Sequence, residues 1–168
     1  EIKKEIKYDF GGRLNSTFPS QVMVDVTQVC NLTCIHCPHP TFKKSEHYDA
    51  SMLEPALNRK MAEEVKEFGK GITNYIRYTS NGEPLLHKNI MQFLTDSKKL
   101  SGTTVTLTTN GTLLNRSKIE ELIDTDIDIV DISIDAYYDE TYKTIRGGNL
   151  KITRGNVLNL IKLINEVE

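Results

Sequence analysis

The chain has 168 residues, of which 21 are lysine or arginine and 23 are aspartate or glutamate, giving a formal net charge of −2. This length suffices for one domain with its own core. The absence of a basic stripe or of a lysine and arginine cluster argues against nucleic acid or an anionic membrane as a partner. No apolar run approaches the roughly 18 residues of a transmembrane helix and no signal peptide opens the chain, so we expect a soluble, cytoplasmic protein.

The first part of the chain differs in composition from the rest. Residues 1–21 are polar and mixed, with glycines and a proline that favour an irregular lead-in, and a short extended piece is expected at Ile6–Phe10. The sequence begins at Glu1 rather than at a methionine, and we interpret it as a segment of a longer protein. Strand-like and helix-like patterns alternate from there on, so we predict one folded core over residues 22–168.

Four segments of this core alternate in polarity or are rich in β-branched residues, which predicts strands. They are Val22–Thr27, Tyr75–Thr79, Thr103–Thr109 and Asp128–Asp135. Elsewhere, apolar residues recur at helical spacing, which predicts helices. These helices cover residues 57–68, 90–100, 119–123 and 152–167, with a further short helix at 138–145. Two capping-box sequences, Ser51–Glu54 and Ser117–Glu120, mark two of the helix starts.

The fourfold alternation of strand and helix predicts an α/β domain with a parallel sheet. The third and fourth strands each place polar residues on one side of that sheet. These residues are Thr106, Thr108 and Asn110, followed by Asp131, Ser133 and Asp135. A closed eight-stranded barrel fills its interior with bulky branched side chains. We therefore expect an incomplete, wider barrel around a wet cavity.

Polar features follow all four predicted strands at their carboxyl ends. They are the cysteine-containing loop after the first strand, the turn 81–84, Asn110-Gly111, and the pair Ser133 and Asp135. Parallel sheets of this kind bind ligands at the carboxyl ends of their strands. The four features therefore predict a single site on one rim of the sheet.

The loop after the first strand contains Cys30, Cys34 and Cys37, which are all the cysteines of the chain, in the spacing C-x3-C-x2-C. Iron–sulfur clusters are held by thiolates grouped in short runs of this kind, usually four of them. Three thiolates can hold three irons of a 4Fe–4S cube and leave the fourth iron without a protein ligand. An open coordination position is typical of catalytic metal sites, so the spacing predicts a cluster whose exposed iron binds a small molecule.

Other interpretations of these cysteines remain, of which reduced thiols without a bound metal are favoured less than either a cluster or zinc. A structural zinc ion could use His36, His39 or His47 as its fourth ligand, but zinc sites usually pair two ligand groups across a longer gap and no second group is present in the sequence. A disulfide framework is disfavoured because three cysteines within eight residues are an odd number. The spacing favours the iron–sulfur cluster and a reducing compartment.

The C-x3-C-x2-C motif after a first β-strand resembles the signature of the radical S-adenosylmethionine (radical SAM) enzymes. The turn formed by Asn81, Gly82, Glu83 and Pro84 resembles the Gly-Gly-Glu element of that family, whose backbone receives the amino group of the SAM methionine. Asn81 stands where the family more usually has a glycine. Considered alone, the turn is weak evidence, because Asn-Gly is a common turn dipeptide.

The later motifs extend this resemblance. Asn110 ends a third-strand element similar to that of the family, although Asn-Gly equally favours a simple left-handed turn. Ser133 and Asp135, followed by Arg146 in an Ile-Arg-Gly sequence, resemble the molybdenum-cofactor and peptide-maturase branches, in which the serine and arginine contact the SAM carboxylate and polar groups of this strand contact the ribose. A guanidinium can bind a carboxylate through two hydrogen bonds, which supports this role for Arg146. The alternative interpretation is that Arg146 is a solvated surface residue without a ligand. His36 occupies the slot where the family often has an aromatic residue near the adenine.

The resemblance implies a partial (β/α)6-type TIM barrel of which about four β/α units are visible, with the fifth strand and any carboxyl-terminal cluster extension beyond Glu168. It implies reductive cleavage of S-adenosylmethionine by a 4Fe–4S cluster to a 5′-deoxyadenosyl radical, with an electron donor such as flavodoxin or ferredoxin. The expected substrate is a small molecule, such as a sugar or a cofactor precursor, with a weak preference for the SPASM and twitch branches. A peptide or protein side-chain maturase and a non-catalytic zinc- or cluster-stabilised binding domain are the alternatives.

Overall fold

A computed structural model of the protein describes residues 17–79 and 81–167. The extended piece expected at Ile6–Phe10 and most of the predicted lead-in over residues 1–21 lie outside these residues, and the division into lead-in and core stays a prediction. No helix within the described residues is long and apolar enough to cross a membrane.

The described chain forms a four-stranded parallel sheet in which the strands neighbour one another in chain order, β1-β2-β3-β4. The strands are β1 (Gln21–Val24), β2 (Tyr75–Tyr78), β3 (Thr104–Thr109) and β4 (Ile129–Ile132). The helices are α1 (His39–Phe42), α2 (Pro55–Phe68), α3 (Ile90–Ser101), α4 (Arg116–Ile123), α5 (Asp139–Arg146) and α6 (Leu150–Val167), with a 3₁₀ turn at Pro84–Leu86. The predicted parallel α/β organisation is confirmed.

Strands in chain order mean that every crossover advances the sheet in the same direction. A doubly wound sheet reverses its strand order at a switch point, whereas a barrel does not. Four of the helices pack on one face of this sheet and close a single apolar core against it. That core includes Val24, Ile76, Leu107, Val65, Phe93, Ile119 and Leu160. The opposite face of the sheet contains the polar side chains of β3 and β4 that were predicted to lie on one side.

Two details of the sequence prediction were wrong. The helix after residue 54 is not capped by Ser51, because Glu54 is the N-cap and makes no side-chain cap bond, while Pro55 fixes the first helical residue. The N-cap of α4 is Asn115, two residues before the predicted Ser117, because the Asn115 side chain accepts from the Lys118 N–H at 2.9 Å.

The fourth strand is also shorter than predicted, because β4 ends at Ile132 rather than at Asp135. Pairing continues for one more residue, since the Ser133 N–H donates to the Thr109 carbonyl oxygen at 2.9 Å. Beyond Ser133 the chain leaves the sheet, so that Asp135 approaches the site from a loop. The short helix α1 and the 3₁₀ turn were missed because four- and three-residue segments contain no repeating apolar period.

Candidate metal and cofactor site

The three cysteines lie on the loop that leaves β1 and ends at α1. Cys34 is buried, Cys30 and Cys37 are half-buried, and all three are free thiols. Burial raises the pKa of the Cys30 thiol, and it raises the pKa of the Cys34 thiol even though the Arg146 charge opposes that shift. A metal bound to these sulfurs would supply the positive charge that favours their deprotonation.

Nitrogen-bound hydrogens approach two of the sulfur atoms. The backbone N–H of His39 donates to Cys37 Sγ at 3.5 Å, and Nη1 of Arg146 lies 3.9 Å from Cys34 Sγ. Hydrogen bonds to a thiolate favour its charged form and tune the properties of a cluster bound to it. His39 is itself fixed, because its Nε2 lies 2.7 Å from the carbonyl oxygen of Gln28. Cys34 and Cys37 therefore each have one N–H donor near the sulfur atom.

The turn after β2 packs directly on the start of the cysteine loop. The N–H of Gly82 donates to the Thr27 carbonyl oxygen at 3.1 Å, and the N–H of Glu83 donates to the Val29 carbonyl oxygen at 2.8 Å. A Cβ atom at position 82 would clash with both of those carbonyl oxygens. Glycine is needed here because two backbone segments touch, whether or not its φ is unusual.

The side chain of Glu83 joins the ends of β2 and β3. This carboxylate is only 2% exposed, and it accepts from the Thr109 hydroxyl at 2.6 Å, the Asn110 N–H at 2.8 Å and the Leu85 N–H at 3.1 Å. Burial raises the pKa of Glu83, and the three hydrogen bonds oppose that rise. The carboxylate thus orders the rim, while its own chain segment lines the cavity described below.

The loop after β3 is tied to the cysteine loop by side-chain amides and hydroxyls. Asn110 accepts from the Thr112 hydroxyl at 2.6 Å and donates to the Asn31 Oδ1 at 2.8 Å, and Asn31 donates in turn to the Thr112 hydroxyl at 2.8 Å. The three side chains form a closed ring of hydrogen bonds. The ring shows that Asn110 has a role beyond a simple turn, because its amide bridges two of the rim loops.

Arg146 ends α5 and lies against the cysteine loop. The N–H groups of Thr33 and Ile35 donate to the carbonyl oxygens of Arg146 and Ile145, at 3.2 and 2.9 Å. The Arg146 side chain is 9% exposed, and its Nε donates to Asp135 Oδ2 at 2.6 Å. The alternative of a solvated surface arginine is therefore wrong, since Arg146 is buried and paired beside a cysteine.

His36 and Asp135 form the outer border of the site. Nε2 of His36 lies 3.6 Å from Asp135 Oδ2, and the two side chains are 53% and 38% exposed. The half-exposed imidazole is accessible to a ligand from solvent. Stacking of His36 on an adenine stays a prediction.

These segments enclose one cavity of about 320 Å³ at the carboxyl rim of the sheet. Eleven of the twelve predicted site residues line it, and the twelfth, Asp135, contacts Arg146 at its edge. The predicted residues in the lining are Cys30, Cys34, Cys37, His36, Asn81, Gly82, Glu83, Pro84, Asn110, Ser133 and Arg146. The volume falls in the range of cofactor and small-ligand pockets, about 300 to 1,000 Å³. Residues spread over 117 positions of sequence, from 30 to 146, thus meet at one place.

The donor set fits an iron–sulfur cluster, whose usual protein ligands are thiolates. A cube of four irons binds each thiolate at a different iron, so its three ligands need not converge on one point. Three thiols on one loop, bordered by N–H donors and an open cavity, meet that requirement.

Some cavity residues were not singled out from the sequence. Leu32, Pro38 and Thr79 line the cavity, and Asn31, Thr112 and Thr33 support it. Thr79 lies where β2 reaches the rim, so the strand-end argument already applied to Asn110 would have found it. The supporting residues gave no signal, because a polar loop residue in a sequence does not show which other loop it contacts.

A singly wound parallel sheet with helices on one face and a cysteine loop at its carboxyl rim defines an α/β protein of partial-barrel type with a rim cofactor site. The family model of the Radical SAM superfamily matches residues 24–167. The chain belongs to the radical SAM superfamily, which confirms the family that the motifs indicate. This superfamily consists of enzymes that use a 4Fe–4S cluster and S-adenosylmethionine.

Several relatives that the chain resembles are named GTP 3′,8-cyclases. The chain is 31% identical over 137 residues to the probable GTP 3′,8-cyclase of Methanococcus aeolicus, covering 80% of this chain and 43% of that protein. It is 34% identical over 145 residues to the GTP 3′,8-cyclase of Peptoclostridium acidaminophilum, covering 84% and 41%. The chain therefore spans about two-fifths of the length of these relatives.

Solved structures agree on the fold. BtrN in complex with AdoMet and 2-DOIA matches with a TM-score of 0.59 and 25% identity over 71% of this chain and 47% of that chain. Streptococcus suis SuiB bound to S-adenosylmethionine matches with a TM-score of 0.69 and 20% identity over 90% of this chain and 32% of that chain. The four-stranded sheet is thus the matching part of a partial TIM barrel.

Proposed function

We propose that the protein to which this chain belongs is a radical SAM enzyme that modifies a small molecule. The supporting observation is the shared cavity, since residues predicted for the cluster and for the cosubstrate border the same 320 Å³ space. When bound, the reduced cluster and S-adenosylmethionine supply a 5′-deoxyadenosyl radical that abstracts a hydrogen atom from a substrate. In this proposal the thiolates of Cys30, Cys34 and Cys37 hold the cluster.

The other lining residues would position S-adenosylmethionine. Asn81 and Gly82 bring backbone to the cavity beside the cysteines, where carbonyl oxygens suit an amino group. Ser133 and Arg146 border the same space, and a guanidinium and a hydroxyl suit the carboxylate of the methionine moiety. Arg146 is held by Asp135 in the described structure, so binding would exchange or share that partner.

Asn110 and the exposed ring of His36 complete the proposed cosubstrate site. Asn110 borders the cavity through a side chain that already bridges two loops, so a ligand there would meet a pre-ordered group. His36 lines the cavity, and in this proposal its imidazole ring would stack on the purine. An external reductant, such as a flavodoxin or a ferredoxin, would provide the electron.

A small-molecule substrate is favoured over a peptide by the relatives. Two relatives above 30% identity, from Methanococcus aeolicus and Peptoclostridium acidaminophilum, are named for GTP, a small molecule. SuiB, which was solved bound to the precursor peptide SuiA, matches at 20% identity and shows the fold alone. We therefore propose oxidation or rearrangement of a small molecule as the reaction class, with peptide maturation as the second candidate.

The test uses the full-length protein, reconstituted anaerobically with iron and sulfide. We expect about four irons per chain from the cluster site and, after addition of dithionite and S-adenosylmethionine, formation of 5′-deoxyadenosine detected by mass spectrometry. The triple Cys→Ala variant at positions 30, 34 and 37 should lose both signals and keep its circular dichroism spectrum. The matched control is Ile35→Ala, because Ile35 lies inside the motif but is 72% exposed and does not border the cavity.

Two results would contradict the proposal. One is a protein that binds zinc in preference to iron and forms no 5′-deoxyadenosine, which would support the binding-domain alternative. The other is full 5′-deoxyadenosine formation by the triple variant, which would place the chemistry elsewhere.

A further inference from the structure

A second polar cluster lies on the cavity-facing side of the sheet and connects three strands. Arg77 on β2 donates from Nε to the Thr108 hydroxyl on β3 at 3.0 Å. It also donates from Nη2 to Asp131 Oδ2 on β4 at 3.0 Å. The Arg77 and Asp131 side chains are 36% and 46% exposed, so the pair is accessible from the interior of the partial barrel. Thr108 belongs to this cluster and to the lining of the cofactor cavity, so the two sites adjoin.

An unsatisfied hydroxyl lies in the same cluster. Thr106 is 6% exposed, and its Oγ1 has no hydrogen-bond partner among the described residues. Thr106 is the register partner of Arg77 and precedes Thr108 by two residues, so its side chain lies on the same side of the sheet. A buried polar atom without a partner costs stability, and such an atom beside an accessible ion pair points to a ligand that completes its bonding.

The cluster offers donors and acceptors side by side. The contacts above engage Nε and Nη2 of Arg77, so its Nη1 hydrogens are not used by the cluster itself. The carboxylate of Asp131 has a second oxygen that accepts, and the Thr106 hydroxyl both donates and accepts. A hydroxyl or a carboxamide of a ligand matches this mixture, since each of those groups also donates and accepts.

Charge compensation makes the cluster unsuitable for phosphate. Asp131 pairs with Arg77 and compensates its positive charge. Phosphate binding relies on guanidinium or ammonium charge that is free to pair with the anion. A phosphate placed on Arg77 would instead meet the carboxylate of Asp131 at close range, where like charges repel strongly.

We propose that the Arg77–Asp131 pair, with Thr106 and Thr108, is a substrate-specificity site that accepts an uncharged hydroxyl or carboxamide group and excludes phosphate. The inference rests on the proposed function, because it assigns the substrate to the space beside the cofactor cavity. It distinguishes the chain from the GTP 3′,8-cyclases that it resembles, whose named substrate is a triphosphate. Asp131 is the residue that sets this preference.

The experiment measures binding of inorganic tripolyphosphate and of guanosine to the full-length protein by calorimetry at low salt. Asp131→Asn keeps the size of the side chain and leaves Arg77 without its counter-charge. We expect this variant to bind tripolyphosphate at least about tenfold more tightly than the wild type, because one close like charge has been removed. Guanosine affinity should change by less than about twofold, since guanosine has no phosphate.

Two further variants separate a local effect from a general change in charge. Asp131→Asn combined with Arg77→Gln should return to the wild-type affinity, because the freed guanidinium is then absent. Asp128→Asn removes the same charge just before the start of β4, where Asp128 accepts from Lys98 Nζ at 2.6 Å, and it should give no gain. Asp131→Ala provides a second way of removing the carboxylate and should reproduce the gain.

Several results would overturn the inference. They are wild-type binding of tripolyphosphate as tight as that of Asp131→Asn, an equal gain in Asp128→Asn, and a gain that survives loss of Arg77. Formation of 5′-deoxyadenosine is measured in parallel and reports on the proposed function alone. Failure of that assay with a tripolyphosphate gain in Asp131→Asn would contradict the enzyme assignment and still support phosphate exclusion at this cluster.

Discussion

The two faces of the sheet differ in whether their buried polar atoms have hydrogen-bond partners within the protein. On the helix-covered face, Ile76, Tyr78 and Leu107 are fully buried, and the one polar atom among their side chains, the Tyr78 hydroxyl, donates to Asn58 Oδ1 at 2.6 Å and meets Ser97 Oγ at 2.6 Å. On the cavity-facing side, the buried Thr106 hydroxyl has no partner among the described residues and an accessible ion pair lies beside it. The buried Tyr78 hydroxyl on the helix-covered face thus has hydrogen-bond partners within the protein, whereas the buried Thr106 hydroxyl on the other face has none among the described residues.

This difference teaches where stability and function are divided in the molecule. A buried polar group without a partner is expensive, so natural structures keep few of them and those few need an explanation. The helix-covered face holds the fold together, whereas the cavity-facing side and its rim keep bonding capacity for ligands. Substitutions on the two sides should therefore differ in their effect on the free energy of unfolding.

The largest effect is expected from truncating the apolar face. Leu107→Ala removes a fully buried side chain from β3 and leaves a cavity, so the free energy of unfolding should fall by about 3 kcal/mol. Thr106→Val changes the preceding residue, whose side chain lies on the other face of the sheet, and replaces its unsatisfied hydroxyl with a methyl group. Its unfolding free energy should stay the same or rise by up to about 1 kcal/mol. Urea denaturation gives the free energy of unfolding of both variants. A decrease in Thr106→Val as large as that in Leu107→Ala would refute the distinction between the two faces.

An intermediate effect is expected at the rim, where two backbone segments touch. Gly82→Ala forces a methyl group against the Thr27 and Val29 carbonyl oxygens, so the turn and the cysteine loop must separate, at a cost of about 2 kcal/mol. The iron content after reconstitution should fall as well, because the same loop holds the cysteines.

The matched control for this rim variant is Gly155→Ala in α6. A Cβ at position 155 has no atom within 4 Å, so alanine should raise the unfolding free energy by about 0.5 to 1 kcal/mol through its helix preference. The same measurements apply to both variants. If Gly82→Ala proves as harmless as Gly155→Ala, close backbone contact is not what orders the rim.

The smallest effect is a pH dependence from His87, which is buried beside the core. Burial lowers the pKa of His87 below the usual 6.5 of histidine, and the Leu53 carbonyl contact opposes that shift. Its Nδ1 accepts from the Asn89 N–H at 3.1 Å, and a proton on Nδ1 would remove this bond. Because the folded state has the lower pKa, its stabilising contribution is complete above pH 6.5 and is lost as the pH falls through the folded pKa.

The measurement is the urea midpoint between about pH 8 and about pH 5. His87→Asn preserves an acceptor for the Asn89 N–H without a titrating ring, so its midpoint should fall less steeply with decreasing pH than that of the wild type. His47→Asn is the control, because the His47 side chain is 79% exposed, and its profile should match the wild type. Equal slopes in wild type and His87→Asn would show that this buried ring does not sense pH.

The sequence alone determined the organisation of the chain. Periodic apolar residues located all four strands and the longer helices, and the polar side of the third and fourth strands indicated an open, wet face. The spacing of Cys30, Cys34 and Cys37 indicated the cluster and the family. These features are local, because a period of two or 3.6 residues and a three-cysteine motif are complete within a short stretch of sequence.

Which residues come into contact follows from the three-dimensional fold. Glu83 with Thr109, Arg146 with Asp135 and Cys34, and Asn110 with Asn31 are contacts between loops far apart in the chain. The partner of each residue depends on the order and register of the strands. The local sequence around a residue specifies neither of these. The need for glycine at position 82 and the pairing of Arg77 with Asp131 arise in the same way. Neighbouring parallel strands are separated in sequence by a helix and two loops. Their pairing places the loops at their carboxyl ends side by side, and those loops form the site.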